Sequence, residues 1–89
     1  MECVECHVSG RVQGVWFRET TRQKALSLEL RGEAVNLPDG RVRVVICGNP
    51  GQVEQLQAWL WTGSPLSKVT AVECRRLSKA PEYAGFSTG

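Results

Sequence analysis

Between two runs of alternating apolar and polar residues the chain places Pro38-Asp39-Gly40, and this turn constrains the fold more than any other feature. Proline holds one backbone dihedral near the value a tight turn needs, and glycine tolerates positive φ. The stretch "EAVNLPDGRVRVVIC" therefore reads as two strands folded back on each other, the second of them, Arg41 to Cys47, alternating cleanly.

The rest of the chain arranges itself around that hairpin. Residues 3 to 9 alternate with Val4, Cys6 and Val8 on one face and Cys3, Glu5 and His7 on the other, which predicts a strand. Phe17, Thr21, Ala25 and Leu28 then recur at helical spacing, with an end expected near Leu30 and Gly32 beyond it as a stop. Past the hairpin, Asn49 is placed to cap a second helix, with Pro50 at its first position, Gln52 three residues after the cap, and Val53, Leu56 and Leu60 as its apolar stripe. "GSPLS" breaks the chain, "KVTAVECRRL" supplies a further strand, and "GFSTG" can add an edge strand. Strand, helix, strand, strand, helix, strand in 89 residues makes one small domain, residues 1–89, of the α+β class. With right-handed crossovers the economical arrangement is a split βαβ sandwich, an antiparallel sheet with both helices on one face. That topology brings the loop after the first strand and the end of the second strand to one sheet edge, so Asn36 is expected near residues 11 to 18.

Composition narrows the partners. The net charge of +2 is too mild to argue for nucleic acid. No apolar run approaches a membrane span, and "MECVECHVSG" has neither the basic lead nor the apolar length of a signal peptide. A cytoplasmic location, a monomer, and reduced thiols for the four cysteines are the corresponding expectations.

The chemistry concentrates in "SGRVQGVWFRETT", residues 9 to 21. Gly10 and Gly14 bracket a turn whose N–H groups can converge, and the free N–H groups at the head of the first helix point the same way. Such a nest, with the helix dipole behind it, suits a phosphate-like anion. Arg18 stands at this positive end, where an exposed cation costs about 0.3–1 kcal/mol. A shared anion removes the conflict, and the guanidinium adds a forked, permanently charged clamp. The loop is neither a Walker motif nor a three-glycine dinucleotide loop.

"GRVQGVWFR", residues 10 to 18, resembles the signature of the acylphosphatases, and the likeness continues through "GEAVNLPDGRVRVVICG" and "VEQLQAWLWTGSPLSKVTAVE". The resemblance implies a ferredoxin-like sandwich that hydrolyses the carboxyl-phosphate bond of a small-molecule acyl phosphate, with no cofactor and no metal. It implies that Arg18 binds the phosphoryl group, that the backbone of Val12, Gln13, Gly14, Val15, Trp16 and Phe17 cradles it, and that Asn36 orients the attacking water. The leaving carboxylate has a pKa of roughly 4, so no general acid is needed to expel it, and positioning with charge stabilisation carries the reaction. Family members often carry an aromatic and a basic residue in the strand that ends at the asparagine. Here Glu33 and Val35 stand there, and lower positive potential beside the pocket is expected. Trp16 is a candidate for shaping the mouth on the acyl side.

"CVECH" matches a c-type haem attachment pattern, but Cys3 and Cys6 of one strand point to opposite faces and no distal ligand is evident. In the expected topology Cys3 and Cys47 share the helix-free face on neighbouring antiparallel strands, so a disulfide between them is the expectation on oxidation. Cys6 and Cys74 alternate with core valines and read as buried, inert packing. His7, mid-strand without partners, has a structural or solvent-facing role. Arg41 and Arg43 belong to a solvated sheet face, and of Trp59, Leu60 and Trp61 the leucine is core and one tryptophan covers the sheet. The competing function is a non-catalytic anion- or RNA-binding module of the same fold. Against RNA, the assignable helix-free positions carry no aromatic to stack a base.

Overall fold

The computed structural model describes residues 1–89. Its elements are β1 (Glu2–Arg11), α1 (Phe17–Ser27), β2 (Arg31–Asn36), β3 (Val42–Gly48), α2 (Pro50–Leu60), β4 (Lys68–Arg76) and β5 (Phe86–Thr88). The hairpin forms as its turn chemistry dictates: the Leu37 N–H donates to the Arg41 carbonyl at 2.8 Å, and the Gly40 N–H to that of Leu37 at 3.1 Å. Asp39 accepts from the Arg41 N–H at 3.0 Å and from its guanidinium at 2.8 Å, so Arg41 belongs to the turn and not to an open cationic face.

The sheet order is β4-β1-β3-β2-β5, antiparallel except where β5 runs parallel to β2. The sheet is thus mixed, not purely antiparallel as expected. The difference arises because the chain after β4 crosses back over the helix-free face and enters beside β2 from the same end. Phe86 anchors this short edge strand by its own burial in the core. Alternation places Val4, Cys6, Val8, Ala34, Val42, Val44 and Ile46 against the helices, α1 over β2 and β5, α2 over β1 and β3. From the helices come Phe17, Ala25, Val53, Leu56 and Leu60, each side chain of leucine size or larger stabilising by about 1.5–3 kcal/mol through burial. Asn49 caps α2 as expected, its side-chain oxygen accepting from the Gly51 N–H at 3.0 Å.

The helical periodicity of α1 stops earlier than expected. Glu29 adopts a left-handed φ of 58° and turns the chain out, while Gly32 lies within β2, opposite Ile46. Trp59 is the half-buried tryptophan of α2 and stacks on Phe17 of α1 at 6.3 Å, bridging the helices and not the sheet; Trp61 is exposed.

Cysteine pairing follows register. Cys3 stands opposite Cys47 and Cys6 opposite Cys74, with Cα separations of 4.1 Å and 4.0 Å, and each pair is disulfide-bonded in the structure. None of the four cysteines is the reduced thiol expected, and Cys6 and Cys74 are not inert packing: Cys6 is fully buried, but Cys74 is exposed on edge strand β4, directly across the ladder. Both bridges meet on β1, one on each face of the sheet.

The helix-free face is partly covered. Cys3, Val45 and Cys47 form a small apolar cluster under Leu77 and Tyr83 of the crossing segment. Beside it Glu5, its side chain only 15% exposed, accepts from Arg75 at 3.0 Å and Arg43 at 3.4 Å, and Arg43 also donates to Glu33 at 2.6 Å. Burial pushes the Glu5 carboxyl up, but the hydrogen bonds and charges of Arg75 and then Arg43 outweigh it and hold the group below its ordinary 4.5. A carboxyl depressed by folding contributes stability above that value and loses it as pH falls through the lower, folded one. Melting followed from pH 6 to about pH 2 should show the wild type losing more thermal stability at the acid end than Glu5→Gln. Parallel profiles for the two proteins would assign the acid sensitivity to other carboxylates.

Candidate phosphate-binding site

Gly10 starts the site. The β1–β4 register shifts between Ser9 and Gly10, and a Cβ on Gly10 would overlap the Lys68 carbonyl oxygen, so only glycine allows this bulge. Beyond it the chain leaves the sheet and turns back into α1 within five residues, Val12 to Trp16. Gly14 has φ 74° with open space around the missing Cβ, so the backbone conformation and not crowding calls for glycine there. Trp16 has φ 64°, a left-handed conformation that costs an L-residue roughly 1–2 kcal/mol and is an outlier for so bulky a side chain. A left-handed residue followed by the right-handed first turn of α1 makes successive N–H groups converge on one concavity.

Three contacts hold the loop. The Gln13 amide donates to the Leu37 carbonyl at 2.8 Å and the Arg41 carbonyl at 2.9 Å, clamping the loop to the hairpin just past Asn36. Ser64, 2% exposed, donates its hydroxyl to the Val15 carbonyl at 2.7 Å. Because C=O and N–H of a trans peptide point in opposite directions, this bond turns the Trp16 N–H away from Ser64 and outward. Finally, the Trp16 carbonyl accepts from both the N–H and the hydroxyl of Thr20, at 3.0 Å and 2.7 Å, which fixes the start of the helix. Ser64→Ala leaves a buried carbonyl unpaired, a loss of about 1–3 kcal/mol. It should also weaken competitive inhibition by inorganic phosphate about fivefold or more. A variant with lowered melting temperature and unaltered phosphate inhibition would confine Ser64 to stability.

An open groove of about 580 Å³ lies against this loop, lined by Val12, Gly14, Trp16, Phe17, Arg18, Glu19 and Thr88. Arg18 is its only cation. The Arg18 guanidinium donates to the Gly89 carbonyl, and the Gly89 N–H donates to the Ala34 carbonyl at 3.0 Å, so Gly89, just past β5, braces the arginine against β2. Glu19 has its carboxylate turned along the helix, to Arg22 at 3.2 Å and Gln23 at 3.1 Å.

Asn36 ends β2 on the helix-facing side, two residues after the buried Ala34 and opposite Val42. It sits between the Gln13 clamp and the Ala34–Gly89 contact, at the sheet edge where the loop lies, though it is not among the residues lining the groove. Its Oδ1 is buried and accepts no hydrogen bond from the protein, the one such side-chain atom in the chain. Leaving an acceptor in that state costs about 1–3 kcal/mol unless a ligand uses it.

Glu33 is not where its expected influence requires it to be. One residue out of phase with Ala34 and Asn36, it emerges on the opposite face and is taken by Arg43 at 2.6 Å, so its charge is neutralised away from the groove. Sequence reasoning missed the side-chain roles of Gln13 and Ser64 and the part of Thr88 in the groove wall. Ser64 lies in "GSPLS", which signalled only a break, and neither a lone amide nor a lone hydroxyl has a period that would mark it.

A sequence model of the acylphosphatase family matches residues 4–88. The chain is 49% identical over 79 residues to an acylphosphatase of Chromohalobacter salexigens, covering 89% of this chain and 88% of that one. It is 51% identical over 84 residues to an acylphosphatase of Nitrosococcus oceani, covering 94% and 93%. Among solved structures, an acylphosphatase from Coxiella burnetii superposes with a TM-score of 0.94 at 39% identity, covering 99% of this chain and 92% of that one.

Proposed function

The chain belongs to the acylphosphatase family, and from that premise we propose that acyl phosphates are hydrolysed in the groove at Arg18 by a metal-independent mechanism using the loop backbone, Arg18 and Asn36. Acyl phosphate hydrolysis itself is the activity of the family. The division of labour among residues rests on one observation above all, the pairing of a groove with a single cation and a buried, unpartnered Asn36 Oδ1 at the same sheet edge.

The phosphoryl oxygens accept from the outward N–H groups of the loop and of the first turn of α1, while the Arg18 fork takes the charge that the equatorial oxygens carry in the transition state. Asn36 Oδ1 accepts a hydrogen from the attacking water and presents its oxygen to phosphorus. As the new P–O bond forms, the bond from phosphorus to the acyl oxygen breaks and its electron pair leaves with the carboxylate. Both water protons finish on the released dihydrogen phosphate. A carboxylate of pKa roughly 4 leaves unaided, so the lack of an acid in the groove poised to donate is no obstacle. An alkyl phosphate monoester, whose alkoxide needs a proton, is expected to react far more slowly.

The same reading takes the substrate to be a free small molecule and the protein to be a cytoplasmic monomer acting without nucleic acid. No helix is long and apolar enough to cross a membrane. On the helix-free face Arg43 and Arg75 are each paired with a glutamate, which leaves little free charge for a phosphate backbone. The deciding experiment is hydrolysis of benzoyl phosphate with EDTA present. Turnover that needs added metal, or none from folded protein, would overturn the mechanism.

A further inference from the structure

Of the large apolar side chains that the fold leaves in solvent, Met1, Trp16, Leu26, Trp61 and Leu66, only Trp16 lines the groove at Arg18. It is 75% exposed and yet sits at φ 64°. A surface loop with no use for an indole is better served at such a position by glycine or asparagine. The other apolar residues along the groove, Val12 and Phe17, are each 1% exposed, their side chains committed to the core. A substrate whose phosphoryl group lies on the loop and Arg18 must extend its acyl group over the rim. The one broad apolar surface available there is the indole face.

Charge narrows the occupant further. Arg18, the groove's sole cation, is committed to the phosphoryl group, and Glu19 offers no cation to an acyl tail. A second carboxylate on the acyl group would find no partner.

We propose that Trp16 forms the acyl-group subsite and that the site favours acyl phosphates with an aromatic, uncharged acyl group, a specificity that rests on the function proposed above. Offset stacking of an aromatic acyl group on the indole outlasts what a methyl group can gain there. The readout is the ratio of kcat/KM for benzoyl phosphate to that for acetyl phosphate, which cancels any general damage to the loop. The wild-type ratio should be about ten or more and carried mainly by KM. Trp16→Ala should bring it to within about twofold of unity, and Trp16→Phe should keep most of it. Succinyl phosphate should be no better than acetyl phosphate. A ratio that survives Trp16→Ala, or a succinyl phosphate preference over benzoyl, would overturn the subsite. Calorimetric binding of phenylphosphonate against methylphosphonate reads the same preference without turnover. A retained phosphonate preference in a protein that hydrolyses neither substrate would therefore overturn the catalytic mechanism and support the subsite.

Discussion

Arg18→Gln should abolish hydrolysis of benzoyl phosphate, lowering kcat/KM by about a thousandfold or more, and should remove inhibition by inorganic phosphate as well. The size follows from removing the groove's only cation, which the proposed mechanism sets where transition-state charge is greatest. Single oxyanion donors are worth about 10²–10³ in rate, and a charged arginine on a transferring phosphoryl group about 10³–10⁵. Glutamine keeps much of the stem and one amide donor but loses both the charge and the fork. Stability should hardly move. Arg18 is partly exposed and its one side-chain hydrogen bond to the protein is to the Gly89 carbonyl, and relief of a cation at the head of α1 offsets the loss of that bond. Steady-state kinetics, phosphate inhibition and a melting curve on the same preparation separate the effects. A folded variant that retains phosphate inhibition would show that the backbone nest alone holds the anion.

Asn36→Ala should behave differently: turnover falls about a hundredfold or more, while phosphate still inhibits within about threefold of wild type. In the proposed mechanism the asparagine acts on the water and not on the phosphoryl group, so its loss is a kcat effect. Stability offers a second sign of the role. Most truncations of polar groups on a strand cost stability because a partner is stranded, but Asn36 Oδ1 has no protein partner to strand. The variant should melt at or above the wild-type temperature. An equal loss of phosphate inhibition in Arg18→Gln and Asn36→Ala would refute the separation of roles.

The two predictions differ in how far each residue was legible beforehand. Arg18 announced itself locally, as a cation placed at the positive end of a helix whose start and apolar spacing could be read from Phe17, Thr21 and Ala25. Asn36 had no such mark; its importance came from the resemblance and from a topology that put the ends of β1 and β2 at one edge. Its orphaned oxygen became visible only in three dimensions. Glu33 shows the opposite error. Adjacent residues on a strand face opposite sides, so nearness to Asn36 in sequence meant distance from the groove.

What the chain determined by itself is whatever depends on neighbours within a few residues. Periods of two and 3.6, the Pro38-Asp39-Gly40 turn and the Asn49-Pro50 cap are set by local dihedrals and by burial of one face, and the split βαβ sandwich follows from their order. What only the tertiary structure decided are contacts between residues far apart in sequence: Ser64 on Val15, Gln13 on Leu37 and Arg41, Gly89 on Arg18, and Cys74 opposite Cys6. The parallel pairing of the three-residue β5 with β2 belongs with them, although an edge strand in "GFSTG" was legible. Each depends on where rigid elements carry two stretches of backbone, to within the few tenths of an ångström that a hydrogen bond allows. No local propensity or hydrophobic period encodes a distance of that kind, and it is those distances that shape the loop at Arg18.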